Sequence, residues 1–357
     1  MKREQQAYLF ITDHILSYVD KYVVLVIRIM LVLFSPQGGD SIYWDIRECL
    51  SYNCLFNFII GPRGVGKTFA TKKYTINNFI NKNEQFVYLR RYKTEFAKIK
   101  KFFGDIESKY PEHGFAVNAD FKIDGKTAGT YYPLSKMMTQ KSVPFPHTTV
   151  IIFDEFIIDK GCIRYLTNEV ETFLEAYSTI ARDRDVKVFF LSNAITEYNP
   201  YFLYFNIEPT ARITRRGDIY IERVESPEFT EHMNNSRFGK LIEGTDYAAY
   251  AFNNISLRDN NYFIREKSGK CKYLFTIKTE QYLLGVWENN NIYYLSEDVQ
   301  TNAPIMAIDI DSFTPEIIYA DKFLIKLLEK AFKESRLYYE SQKIKSIANK
   351  ILRKVVK

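Results

Sequence analysis

The chain of 357 residues has only four cysteines, Cys49, Cys54, Cys162 and Cys271, with no Cys-x-x-Cys pair among them. That spacing speaks against a zinc site and offers no disulfide framework, which leaves reduced thiols in a cytosolic protein. With 15 Gly and 11 Pro, the composition is neither collagen-like nor that of a disordered chain. No internal repeat is evident. Long hydrophobic runs are also missing. The nearest approach, Tyr22 to Phe34 (YVVLVIRIMLVLF), is interrupted by Arg28. As a helix it would reach about 20 Å, short of the roughly 30 Å hydrocarbon core of a bilayer. No small-residue cleavage site follows it, so a signal peptide fits poorly. Three readings stay open for it: a core element, an interface arm, or sequence upstream of an internal start at Met30. No membrane association is expected.

What the chain does hold is length, aromatic side chains and an uneven charge. Its length suffices for two domains with separate cores. The 27 Tyr and 28 Phe fit either AT-rich coding or a stacking surface. Net charge is +6, yet residues 321–357 alone carry eleven Lys/Arg against four Asp/Glu, so the remainder is slightly acidic. Such a concentration suits contact with a polyanion, or an ordinary solvated helix face.

The most informative stretch is GPRGVGKT, residues 61–68. Its spacing, G-x-x-x-x-G-K-[ST], belongs to loops whose backbone N–H groups wrap a polyphosphate, where a side chain would block the approach. Gly61, Arg63, Gly64 and Gly66 would then line a nucleotide, with Lys67 on the β/γ-phosphates and the Thr68 hydroxyl on Mg²⁺. The apolar run Leu55 to Ile60 precedes the loop, and Lys67 to Phe79 reads as a helix whose N-terminal dipole favours an anion. ATP and Mg²⁺ are the implied cofactors.

Downstream, short apolar runs alternate with longer amphipathic ones. Strands are expected at Gln85 to Arg90, Thr149 to Phe153 and Val186 to Leu191, and helices at Thr94 to Tyr110 and Thr167 to about Arg182. Between them Phe115 to Tyr132 is strand-rich, with Asp124-Gly125 as a hairpin signal. Strands separated by helices predict a mostly parallel α/β sheet with its ligand beyond the carboxyl ends of the strands. After Pro200 the pattern changes. A hairpin is expected around Gly217-Asp218 and a linker at Ser226-Pro227. Strands follow at Lys272 to Thr279, Tyr282 to Glu288 and Asn291 to Ser296, and a helical stretch closes the chain from Asp321 to Lys357. The expected division is an N-terminal extension of unassigned role (1–45), a P-loop ATPase domain (46–205), a lid or linker (206–227) and a smaller α+β domain (228–357).

Val150 to Phe153 ends in Asp154-Glu155. An aspartate at a strand tip holds magnesium through its water shell, and a following glutamate can take a proton from an attacking water. A carboxylate poised for water argues for hydrolysis coupled to motion. The next strand ends at Ser192-Asn193, where Asn193 is the candidate contact to the γ-phosphate or its water; a strand-terminating turn is the alternative. Arg182, just before that strand, is the candidate to reach a neighbouring subunit's nucleotide, a role worth roughly 10³–10⁵ in turnover. A surface salt bridge to Asp183 or Asp185 is its plainer reading. Arg63 is an unusual residue inside such a loop and is a candidate bridge between nucleotide and neighbour.

With these motifs in hand, the chain resembles the DNA-packaging ATPases of phi-29-like tailed phages. The resemblance rests on GPRGVGKT, EQFVYLRRYKTEFAK (84–98), VIIFDEF (150–156), LSNA (191–194), NPYFLYFN (199–206), RFGKLIEGTDY (237–247) and LLGVWE (283–288). It runs from about residue 50 onward, and the first forty residues depart from it. It implies an ASCE-type P-loop ATPase with Lys67 and Thr68 in Walker A, Asp154 and Glu155 in Walker B, and Arg182 as a trans-acting finger. It also implies a pentameric homo-oligomeric ring that docks on a capsid's portal protein and drives double-stranded DNA inward. A packaging RNA is a further candidate partner. The setting would be the host cytoplasm, transiently on the viral procapsid.

The family's second domain is RNase H-like and nuclease-derived, and the three-strand run after 272 agrees. The strand LFTIKT carries no carboxylate, only Glu280 follows, and Asp309 and Asp311 lack an evident partner set. A degenerate nuclease used for binding is therefore expected. DNA contact must be sequence-blind, with Arg90, Arg91, Lys93, Lys98, Lys100, Lys101 and the basic C-terminal stretch as candidates. The rival readings are a helicase-like ATPase, an ATP-gated nuclease and a nucleotide-binding module without turnover.

Overall fold

Local signals account for most of the first elements. A short helix, α1 (Ile46–Ser51), is capped by the Asp45 carboxylate on the Arg47 N–H and leads into β1 (Phe56–Ile60), all of it buried. The glycine-rich turn then opens α2 (Lys67–Lys82), followed by β2 (Gln85–Arg90). Next come β3 (Phe115–Val117), β4 (Phe121–Ile123) and β5 (Lys126–Pro133). Asp124 and Gly125, both at positive φ, make the expected tight turn between β4 and β5. After them stand β6 (Thr148–Asp154), α3 (Glu169–Ala181), β7 (Lys187–Ser192), α4 (Pro200–Tyr204), β8 (Ile213–Arg216) and β9 (Ile219–Arg223). The computed structural model describes residues 42–355, apart from 141–142, 159–164, 167, 194–195, 197–198, 210, 253–262, 280, 309–312, 316 and 320–321. Tyr22 to Phe34, Cys162, Glu280, Asp309 and Asp311 lie outside the described residues.

These strands form one nine-stranded sheet in the order β3-β4-β5-β2-β6-β7-β1-β9-β8. The six strands from β5 to β9 in that order pair in parallel, and antiparallel pairs occur only toward the two edges. The apolar runs Val150–Phe153 of β6 and Val188–Leu191 of β7, and β1 apart from Asn57, whose amide donates to Cys54 O and Val188 O, suit central strands covered on both faces. Their core is strongly aromatic: Phe58 stacks on Phe190 at 4.1 Å, with Phe153, Phe156, Phe173 and Tyr201 around them. Cutting one such buried ring back to alanine costs roughly 3–5 kcal/mol.

The second part of the chain begins with α5 (Pro227–Asn235), α6 (Arg237–Ile242) and α7 (Asp246–Phe252). A six-stranded sheet follows, built from β10 (Lys272–Lys278), β11 (Leu283–Asn289), β12 (Ile292–Ser296), β13 (Ile305–Ala307), β14 (Ile318–Tyr319) and β15 (Leu337–Tyr339). Its order is β14-β13-β10-β11-β12-β15. The helices α8 (Lys322–Lys333) and α9 (Gln342–Val355) supply Leu328, Ala331, Ile344, Ile347 and Ile351 to its core. Leu203 of α4 joins that same core, and the Tyr282 hydroxyl donates to its carbonyl. Among the described residues, no helix is long and apolar enough to cross a membrane.

Four expectations are corrected. Thr94 to Tyr110 is not a helix but three short 3-10 turns, Lys93–Phe96, Ile99–Lys101 and Glu107–Lys109. Tertiary contacts override the helical spacing there: Phe102 and Phe103 are both buried, Phe102 lies 4.2 Å from the Phe121 ring, and its carbonyl accepts from Lys72 Nζ at 2.7 Å. The hairpin β8–β9, expected inside a linker at 206–227, extends the first sheet, with β9 parallel to β1. Ser226-Pro227 is a helix start, not a linker. The Ser226 hydroxyl accepts from Phe229 N at 3.2 Å, and Pro227 takes the first helical position, where its missing N–H is harmless. Finally, the closing stretch is not continuously helical. Ser335, at φ 58°, ends α8, and β15 then pairs in parallel with β12.

Candidate nucleotide site

Register brings the expected site residues other than Arg182 to one edge of the large sheet. Ile60 pairs with Ser192, Asp154 with Leu191, and Leu89 with Phe153. The carboxyl ends of β1, β2, β6 and β7 are therefore level, and the residues beyond them converge. Gly61 N also donates to Ser192 O at 3.2 Å, tying the glycine-rich turn to the end of β7. Asn193 sits half-buried just past that end.

The turn itself depends on backbone freedom at two positions, Gly64 (φ 89°) and Gly66 (φ 91°). Gly61 is needed for packing instead, because a Cβ there would lie 2.7 Å from the Val224 Cβ. A Cβ on Gly64 would meet the Phe229 ring from α5 and one on Gly66 the Tyr43 side chain, so aromatic side chains pack against the turn at both glycines. Neither is apparent from the motif. Lys67 is buried, and its Nζ donates to Gly61 O at 2.9 Å and Pro62 O at 2.8 Å. Burial pushes this amine down to about 7, with the Asp154 charge the only opposing influence. A buried lysine held by carbonyls and faced by one carboxylate becomes charged most readily against a strongly anionic ligand. The Thr68 hydroxyl is half-buried and, among the described residues, makes no hydrogen bond. Arg63 is exposed, and its side chain has no partner among the described residues. Beside the turn a cleft of about 530 Å³ opens between Pro62, Val224, Thr230, Glu231 and Phe252, a volume typical of small-ligand pockets.

The carboxylates have partners that the sequence reading missed. The Tyr88 hydroxyl donates to Asp154 Oδ2 at 2.9 Å. Arg90 Nη1 lies 2.6 Å from Glu155 Oε2, and its Nη2 lies 3.6 Å from Asp154 Oδ2. Tyr88 and Arg90 are two apart on β2, so they share a face of the strand, and that alternation is the signal that could have found them. Arg90, expected on the surface as a candidate DNA contact, is instead largely buried against these carboxylates, its side chain 18% exposed. Arg91 is also removed from that group: it is 1% exposed and paired with Glu169 at 2.6 Å. Lys93, Lys98, Lys100 and Lys101 remain exposed. Part of the C-terminal basic excess is neutralised locally, Lys333 by Glu329, Arg336 by Glu334 and Lys343 by Glu297.

Arg182 does not join this cluster. It caps the C-terminus of α3 at φ 55°, before β7 begins, and is therefore at the opposite edge of the sheet. Its side chain is exposed and, among the described residues, pairs with neither Asp183 nor Asp185. Arg184 is the anchored one, donating to the carbonyls of Phe145, Pro146, Thr148 and Ile180. Among the described residues no group of three or more His, Cys, Asp or Glu is placed to hold a metal ion.

By fold, this is a mixed α/β protein organised around a large sheet of mainly parallel strands. The chain belongs to the podovirus DNA encapsidation protein (Gp16) family, whose profile matches residues 39–356. It is 36% identical over 329 residues to the DNA packaging protein of Bacillus phage phi29, which covers 88% of this chain and 98% of the relative. Likeness to the DNA packaging protein of Bacillus phage PZA is similar, 35% over 328 residues, again 88% of this chain and 98% of that one. Among solved structures, the bacteriophage phi-29 viral genome packaging motor assembly matches with a TM-score of 0.73 at 35% identity, covering 88% of this chain and 100% of that chain. The N-terminal domain of the DNA packaging ATPase of bacteriophage phi29 matches at 42% identity with a TM-score of 0.50, covering 53% of this chain and all of that domain.

Proposed function

We propose that this chain is an ATP-driven translocase that moves double-stranded DNA into a preformed viral capsid. In this reading residues 46–205, continued by β9, form an ASCE-type P-loop ATPase, and the six-stranded sheet belongs to an RNase H-like domain that binds without cutting. One observation carries it: a buried lysine and an adjacent carboxylate pair meet at one sheet edge, beside a glycine turn able to approach phosphates. Lys67 would hold the β/γ-phosphates, and Thr68 and Asp154 would hold Mg²⁺. Bound magnesium would withdraw charge from the phosphate oxygens. Glu155 would take the proton of the attacking water, for which it must exchange Arg90 for water, because a carboxylate inside an ion pair is a weaker base. Asn193 would bond the γ-phosphate or that water.

Arg182, remote from its own site, would complete a neighbour's. Homo-oligomers with such shared sites close into rings, and the resemblance implies five subunits. The portal protein, duplex DNA and a packaging RNA are the partners this reading assigns, on the procapsid in the host cytoplasm. The test is ATPase rate with and without duplex DNA across protein concentration. Turnover should rise with both. Stronger stimulation by single strands would favour a helicase-like ATPase, and Mn²⁺-dependent nicking of plasmid would favour a gated nuclease.

The buried lysine gives a second expectation. Its amine is mostly neutral in the free protein above pH 7, whereas a polyphosphate binds the ammonium form. Binding should therefore take up a proton, with affinity greatest below about pH 7 and weakening as pH rises. The limiting slope is about tenfold in Kd per pH unit between roughly pH 7.5 and 9. Calorimetry in buffers of different ionisation enthalpy reads the uptake directly. Lys67→Arg, charged throughout, should flatten the slope. A pH-independent affinity for the unaltered protein would contradict the assignment.

A further inference from the structure

We propose that Arg91, through its buried pair with Glu169, is a positioning residue for Glu155; this rests on Glu155 being the group that activates water. Arg90 and Arg91 follow one another but act on Glu155 from opposite sides. Arg90 meets the carboxylate, at 2.6 Å. Arg91 turns inward, where its Nη1 donates to Glu155 O at 3.3 Å and its Nη2 to Phe156 O at 2.8 Å.

The guanidinium is itself over-determined. Its Nε and Nη2 bond the two Glu169 oxygens at 2.6 and 2.7 Å, and the rings of Phe153 and Tyr165 lie 5.6 and 4.9 Å from its central carbon. Glu169 is fixed in turn by Leu166 N at 2.9 Å and by the Tyr201 hydroxyl at 3.2 Å. One buried pair thus joins the chain beyond β2, the turn beyond β6, the first residue of α3, and α4 beyond β7.

The turn needs such a hold. Glu155 sits at φ 60°, a conformation that L-residues with a side chain seldom adopt unless their surroundings impose it. Among the described residues, the other main-chain hydrogen bond at these two positions is Phe156 N donating to Leu191 O at 3.3 Å. A general base works only when its oxygen is within hydrogen-bond reach of the water, so setting the main chain of residue 155 sets the reach of its carboxylate.

The decisive variant is the double substitution Arg91→Met/Glu169→Gln. It removes both buried charges together, leaving neither unpaired, and glutamine keeps an acceptor for Tyr201 and Leu166. ATP affinity should stay within about threefold while kcat falls by about 10- to 100-fold. Arg91→Lys should fold and recover only part of kcat, because a single ammonium cannot fork to a carboxylate and two carbonyls. If the double variant fails to fold, the same affinity-against-kcat split in Arg91→Lys decides. Turnover within about twofold of the unaltered protein overturns the proposal, and so does an equal loss of affinity and kcat in a folded variant. Glu155→Gln measured in parallel separates the two readings. Its continued turnover would remove the base itself, whereas its loss beside an active double variant would remove only the positioning role.

Discussion

Glu155→Gln should bind ATP almost as tightly as the unaltered protein and hydrolyse it about 10²- to 10⁴-fold more slowly. The substitution keeps size and hydrogen-bonding capacity but removes the ability to accept a proton. The proposed nucleotide contacts are untouched, since the glycine turn joins β1 to α2, with Lys67 at the start of α2, while residue 155 follows β6. Folding should tolerate the change, because the Glu155 side chain is 56% exposed and Arg90 keeps Asp154 and Glu95 as partners. Equilibrium binding of a fluorescent ATP analogue, set against single-turnover phosphate release, separates affinity from chemistry. Near-normal release would sink the assignment of Glu155 as base. An equal loss of binding would instead mean that the carboxylate holds the metal.

Arg182→Ala should also retain ATP binding and lose roughly 10³–10⁵ in turnover. The helix α3 spans thirteen residues between the sheet edge that carries Asp154 and Glu155 and Arg182, about 20 Å at 1.5 Å per residue. No arginine side chain bridges that distance, so Arg182 cannot serve its own site. Mixing therefore gives the informative measurement. If subunits assemble as proposed, an intact Glu155 on an Arg182→Ala subunit can receive Arg182 from a Glu155→Gln neighbour. Some activity should return although neither variant is active alone, and it should depend on protein concentration. Mixtures that co-assemble yet stay inactive at every ratio would show that Arg182 does not act across an interface. Its exposure would then mark an ordinary surface position.

The local geometry around the glycine turn and the central strands was legible in the sequence. A phosphate-type loop is written in eight contiguous residues, and the conformations at Gly64 and Gly66 follow from their lack of a Cβ. The central strands could be read because burial on both faces demands mainly apolar residues, and the run Val150–Phe153 leads directly into Asp154-Glu155. Only tertiary structure decided which charges meet. Arg90 and Arg91 look alike in sequence, yet one faces Glu155 and the other is sealed against Glu169, 78 positions away. Phe102 leaves a helix-like pattern because Phe86 and Phe121 offer it a better surface. The hairpin at 213–223 joins the first sheet because the far edge of β1 needed a partner. Propensity and motif act over a few residues, whereas the pairing of a charge, a ring or a strand edge depends on what the folded chain brings beside it.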